Sequence, residues 1–125
     1  MKKKSVFAIA ALCLAIASCS SDSEDLLTAP TEPGTCDTTN VTYSASITPL
    51  LSKYGCTSCH SGTAPSGGFV LTSYNGLKGK VNDGRLIGAI THTNGYSPMP
   101  QGGTKMSDCD INKVRAWVNR GALNN

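Results

Sequence analysis

Five consecutive residues, Cys56-Thr57-Ser58-Cys59-His60, constrain this chain more than anything else in it. Two thiols three positions apart, followed at once by an imidazole, can hold a zinc ion, run a redox disulfide or carry a haem. Each occupation asks for different surroundings, so the compartment in which these thiols live has to be read first.

The chain opens MKKKSVFAIAALCLAIASCS. Three lysines precede an uncharged, alanine-rich run from Ser5 to Ser18. That run is shorter than the ~20 apolar residues of a membrane span and suits the apolar core of an export signal. Residues 1–18 are therefore expected to be a signal peptide. Its end, Ile16-Ala17-Ser18-Cys19, resembles a bacterial lipobox. The resemblance implies that Cys19 becomes the acylated first residue of the mature chain, anchored at ~0.8 kcal/mol per buried CH₂. An ordinary cleavage with Cys19 as a bystander is the alternative. Residues 19–35 are rich in Ser, Thr, Pro and acid and bury too little to order themselves, so they are expected to be a flexible tether. Their acidic start, SSDSED, resembles the surface-export signal of Bacteroidetes lipoproteins. The expected location is outside the cytoplasm, on a membrane by its lipid, at the periplasmic or cell-surface face.

Residues 36–125 then make one small domain, of a size that often needs a staple or a cofactor. Eight Lys and Arg against four acids give it a net charge of +4. The cations are dispersed and not interleaved with aromatics, which argues against a nucleic-acid surface.

Of the six cysteines, Cys13 leaves with the signal and Cys19 takes lipid, so the domain keeps Cys36, Cys56, Cys59 and Cys109. An exported domain sees oxidising conditions. A thioredoxin-like pair would want a βαβ context, whereas here the motif runs into the glycine-rich SGTAPSGG. Zinc fares no better, because adjacent Cys59 and His60 do not easily take two corners of one tetrahedron and the usual second ligand pair is missing. C-x-x-C-H is, however, the attachment signature of c-type haem. Two thiols add to the two vinyl groups on one porphyrin edge, and the next residue turns its imidazole under the iron. Cys56 and Cys59 are the covalent attachment points on this reading, and His60 is the proximal ligand.

His92, Met99 and Met106 are the candidates for the sixth iron ligand. Met106 precedes an expected helix cap at Ser107, with Asp110 completing a capping box, so it has a local role as a staple onto Ile111. Met99 lies in Tyr96-Ser97-Pro98-Met99-Pro100, a loop whose prolines restrict the backbone on both sides. Met99 is the first choice, with His92 and Met106 as alternatives.

In this order, CDTTNVTYSASITPLL, CTSCHSG, GGFVL, NGYSPMPQGG and KMSDCDINKVRAWVNRGAL resemble a small monohaem cytochrome c domain of the kind found in Bacteroidetes and planctomycete lipoproteins. The resemblance covers nearly all of residues 36–125. It implies one haem c bound covalently by Cys56 and Cys59, with His60 proximal and Met99 distal, in an all-α cytochrome c-like fold with long loops.

The residues give the elements of that fold. Ile47, Leu50, Leu51 and Tyr54 recur at helical spacing ahead of Cys56. Pro49 requires either a start at Thr48 or an earlier start with a bend. Short helical pieces are expected over Ser73–Lys80 and Arg85–Ile90, with Phe69–Leu71 extended. Lys80 and Arg85 face either haem propionates or solvent. The last helix is capped by Ser107, points Ile111, Val114, Trp117 and Val118 inward and stops at Gly121. Terminal helices that cross would bring Cys36 and Cys109 together as a disulfide in an oxidising compartment, with two buried free thiols as the alternative. Closing that bond is worth up to ~4.4 kcal/mol on the chain-entropy account.

No nucleophile–base pair or carboxylate dyad stands out, so the chain is not expected to be an enzyme. One-electron transfer to a redox partner, whose identity the sequence does not give, is the leading expectation. A haem-based sensor or binder of small ligands, or a docking lipoprotein in which haem mainly completes the core, are the alternatives.

Overall fold

A computed structural model describes residues 35–125. The expected signal, Cys19 and the tether up to residue 34 lie outside the described residues. Within them the chain is helical and contains no strand, which is compatible with an all-α fold.

The first helical segment is shaped by Pro49. Thr42 caps it, its hydroxyl accepting the Ala45 N–H at 3.2 Å. Tyr43–Ile47 then winds as a π-helical turn that passes directly into α1, Thr48–Lys53. Proline brings no N–H, and its ring presses on the carbonyl four residues back, here that of Ala45. The chain widens just ahead of it. Ile47 N–H reaches the Thr42 carbonyl and Thr48 N–H the Tyr43 carbonyl, each five residues back. Of the two starts that Pro49 left open, the helix takes the earlier one and absorbs the ring in a π turn. Ile47, Leu50 and Leu51 are buried, and Tyr54 packs partly against the core.

After α1 come α2, Cys56–Cys59, and a 3-10 turn, Ser66–Gly68. Phe69 is extended at φ −142° and ψ 151°. α3 (Tyr74–Asn82) is capped by Ser73, whose hydroxyl accepts the Gly76 N–H. α4 (Arg85–Ile90) packs between α3 and α5 (Asp108–Asn119). Asp110 N–H donates to Ser107 Oγ at 3.2 Å, so α5 starts at the expected cap.

The core gathers on α5. Ile111, Val114 and Trp117 are buried there together with Ile47, Leu77 and Met106. Trp117 is used in helix packing. Its indole stacks on Tyr43 at 5.9 Å, and its Nε1–H donates to the Leu123 carbonyl at 2.9 Å. Tyr74 meets Tyr43 edge-on at 5.3 Å and donates its hydroxyl proton to the Ala122 carbonyl at 2.8 Å. Aromatic pairs of this kind add about 0.5–1.5 kcal/mol beyond their buried area. Tyr43 meets Trp117 near the end of α5, while Lys53 and Tyr54 bond Asp110 in its first turn. The first helical segment and α5 therefore run in opposite senses.

The start of the domain is tied to both ends of α5. Cys36 and Cys109 sit at disulfide distance, with Cα atoms 5.4 Å apart. At the other end the Arg120 guanidinium donates to the Thr38 carbonyl at 3.0 Å and the Thr39 carbonyl at 2.8 Å.

Candidate functional site

Cys56 and Cys59 are the two termini of α2, a single helical turn that follows α1 through Gly55. Both thiols are free; Cys56 is half-buried and Cys59 exposed. Burial pushes the Cys56 thiol above its ordinary pKa, with the neighbouring Cys59 adding to the effect. A redox-active pair works the other way, through a thiolate stabilised below the ordinary range. The environment thus favours the neutral Cys56 thiol, while Cys59 on the same turn is open to the surface.

His60 follows directly and is buried, at 6% exposure. Its Nδ1 lies 2.8 Å from the Ser66 carbonyl oxygen. A carbonyl can only accept, so Nδ1 carries the hydrogen and the lone pair of the neutral ring falls on Nε2. Nε2 has no hydrogen-bond partner among the described residues and is not sealed from solvent. The ring is also wedged from the side, because Phe69 stacks on it at 4.3 Å between centroids. The His60 carbonyl accepts the Leu71 N–H at 2.8 Å. The loop from Ser61 to Val70 thus closes back on His60 through Ser66, Phe69 and Leu71.

The fit of a haem can be tested against these groups. Covalent attachment needs two free thiols at the ends of one turn, and iron ligation needs an imidazole with its Nε2 lone pair held out of other bonds. The described residues supply both. A zinc site needs further donors, and no group of three or more His, Cys, Asp or Glu gathers as a metal site among the described residues.

Tyr54, two residues before Cys56, joins this segment to α5. Its hydroxyl accepts the Ser107 N–H at 3.1 Å and donates to Asp110 Oδ2 at 2.7 Å. The expected capping box therefore closes through Tyr54 as a relay: the Asp110 carboxylate goes to Tyr54 and to Lys53 Nζ, at 2.7 Å each. Burial pushes the Asp110 carboxyl up, but the bonds from Lys53 and Tyr54 outweigh it and leave the pKa below the usual value.

The three candidate sixth ligands sit in different settings. Met106 is buried in the core at 5% exposure, as is Ile111 at 2%. Met99 is half-buried on the loop after α4, and its N–H donates to the Ala89 carbonyl at 3.0 Å. His92 is exposed, and its Nε2 lies 3.0 Å from the Met99 carbonyl oxygen. His92 and Met99 are thus brought together, through backbone and not through the thioether. Lys80 and Arg85 both turn to Asp83, at 2.8 Å and 3.7 Å, and Lys80 also stands over the Phe69 ring at 4.8 Å.

Sequence reasoning did not find the Ser66 carbonyl, the Phe69 stack or the Tyr54 relay. A backbone carbonyl leaves no mark in residue identity. Phe69 had a weak signal, an aromatic directly after a run of loop residues that follows His60. Compared with family models, with curated proteins and with solved structures, the chain matches none.

Proposed function

We propose that this chain is a c-type cytochrome that carries one haem and transfers single electrons from a membrane-anchored position. The observation that carries the reading is His60: buried, donating Nδ1–H to the Ser66 carbonyl, and directly following two free thiols on one helical turn. That hydrogen bond selects the tautomer that puts a lone pair on Nε2, as outer partners of ligating histidines do. Cys56 and Cys59 would hold the haem by thioether bonds, and His60 and Met99 would ligate its iron. The helical architecture without strands fits a cytochrome c-like fold.

The haem supplies a centre that gains and loses one electron, and a His/Met ligand pair favours the reduced state relative to His/His. The protein's part is to hold and shield. α2 fixes the two sulfurs relative to each other, and Ser66 and Phe69 fix the imidazole plane. With His60 and Met99 both holding the iron there would be no open place for a substrate, which is why we read a carrier and not an enzyme or a gas sensor.

A spectrum of the exported protein before and after dithionite tests this directly. The expected result is a c-type haem spectrum whose pigment stays with the polypeptide through acid–acetone extraction. Colourless protein, or pigment that extracts, overturns the reading. The lipid anchor is tested separately: Cys19→Ala should release the protein from membranes, and continued labelling by a fatty-acid analogue would refute it.

A further inference from the structure

α1, α3, α4 and α5 each close on a residue in the left-handed conformation. Three of them use glycine there: Gly55 after α1 at φ +67°, Gly84 after α3 at φ +73° and Gly121 after α5 at φ +92°. α4 uses His92 at φ +57°. The hydrogen bonds of the α4 and α5 ends correspond one for one. After α5, Gly121 N–H donates to the Val118 carbonyl and Ala122 N–H to the Trp117 carbonyl. After α4, His92 N–H donates to the Ala89 carbonyl and Thr93 N–H to the Gly88 carbonyl. Both are Schellman turns, in which a Cβ is a disadvantage and glycine is the usual occupant. The backbone alone gives no reason for a histidine at this place.

The side chain gives one. The His92 imidazole reaches the Met99 carbonyl, with Nε2 3.0 Å from the oxygen. The Met99 N–H is bonded at 3.0 Å to the Ala89 carbonyl, which also accepts the His92 N–H. Both polar groups of Met99 are therefore fixed to the C-terminal end of α4, and the thioether is the part of the residue left free. The same loop is seated a second time upstream. The Tyr96 ring lies against Gly88 so closely that a Cβ there would overlap it.

We infer that His92 is a positioning residue. It uses its left-handed place after α4 to fasten the Met99 backbone, so that the Met99 sulfur is presented in one direction. In this arrangement it serves as a holder and not as an iron ligand, with its Nε2 given to the Met99 carbonyl. The inference deepens the haem reading and rests on it for the purpose of the clamp, though the clamp itself can be read without haem.

The test uses the full-length protein with His92→Gly, His92→Ala and His92→Gln, and two readouts. The first is hydrogen exchange at the Met99 amide. Loss of one hydrogen bond of ordinary strength should speed exchange roughly tenfold in His92→Gly and His92→Ala. His92→Gln, which keeps a side-chain N–H donor, should restore much of the protection. His92→Gly is the decisive variant, because it relaxes the turn. Its thermal stability should match or exceed that of the parent protein while Met99 loosens, which a merely structural histidine would not give. The second readout is carbon monoxide binding by the reduced protein, expected to rise roughly tenfold in step with exchange, while the haem mass on Cys56 and Cys59 stays unchanged.

Unchanged Met99 exchange in His92→Gly overturns the clamp. Faster exchange with unchanged carbon monoxide binding overturns its role in presenting the sulfur. Loss of axial ligation in His92→Ala without any change in Met99 exchange makes His92 the ligand and overturns the inference outright. If the parent protein proves to carry no haem, the functional reading and the role in presenting the sulfur fail, while exchange still decides whether the clamp exists.

Discussion

The two segments that carry the proposed iron ligands, His60 and Met99, are built by different means. His60 is buried, and its Nδ1 bond, its stacked Phe69 and the adjoining α2 turn leave the imidazole a single orientation. Met99 is half-buried in a loop whose neighbours from His92 to Pro98 are exposed, and it is fastened by backbone bonds that leave its side chain unengaged. One side chain is set by packing and the other by tethering. A ligand set by packing leaves only when the domain opens, whereas a tethered one can be lost by local loosening at much smaller cost. The difference would make the His60 side permanent and the Met99 side adjustable.

The largest effect should come from removing the attachment itself. On the proposed reading, Cys56→Ser combined with Cys59→Ser abolishes covalent haem altogether, seen as loss of the haem mass from the purified chain. Persistence of that mass would move the attachment elsewhere and dissolve the comparison.

Next comes the tie between Cys36 and Cys109, which belongs to neither segment. Its sequence separation of 73 sets a limit of ~4.4 kcal/mol on the chain-entropy account. Cys109→Ser should lower stability in urea by up to that amount while leaving haem attached. Two alkylatable thiols in the unreduced, denatured parent protein, beyond Cys56 and Cys59, would show that the bond does not form.

The third comparison sets Met99→Ala against Met106→Ala. On sequence grounds Met106 is a staple onto Ile111 at a helix start, a contact whose loss would cost ~1 kcal/mol or less. The structure buries it at 5% exposure within the core, so truncation removes a packed side chain and should cost about 3 kcal/mol. Met99→Ala should do the reverse, leaving stability nearly intact in denaturant while the reduced protein takes up carbon monoxide. If Met106→Ala opens the iron and Met99→Ala does not, the adjustable side has been assigned to the wrong methionine.

These contrasts also show what the sequence could carry. α5 was legible almost residue by residue, because Ser107, the apolar spacing from Ile111 to Val118 and Gly121 each act locally. Arg85–Ile90 was legible for the same reason. Pro49 announced a disturbance and left its form open, since whether a chain starts late or widens into a π turn depends on what Tyr43 packs against. His92 was read as a rival ligand because its type permits that. Its partner is a backbone carbonyl seven residues away, and carbonyls are anonymous in sequence. The Tyr54 relay was hidden for a related reason. Ser107 and Asp110 form a complete local signature, and nothing local says that a hydroxyl from another helix will stand between them.

That relay supplies the smallest expected effect and the one that sharpens the comparison most, because Tyr54 and Lys53 tie the end of α1 to α5 just ahead of Cys56. Burial raises the Asp110 carboxyl and the bonds from Lys53 and Tyr54 more than compensate, so its folded-state pKa lies below the unfolded one. A depressed carboxyl contributes stability that is fully present above the unfolded value of about 3.9 and is lost as pH falls through the folded value. The Lys53 arm is mostly exposed and screened by salt, so the half-buried Tyr54 arm should carry most of that contribution. Asp110→Asn should therefore leave the protein somewhat less stable at neutral pH. It should also flatten the part of the acid limb below about pH 4 that Asp110 causes. Denaturant midpoints from neutral pH down to pH 2 in parent and variant make the check. Tyr54→Phe should reproduce most of the loss at low and high salt alike, whereas Lys53→Met should produce a loss that salt erases. If Lys53→Met is the costlier of the two at high salt, the tie is a surface ion pair and the segment before Cys56 is held less firmly than its geometry implies. A tie through Tyr54 should register at His60, as faster exchange of the Leu71 amide that donates to its carbonyl, with no change at Met99.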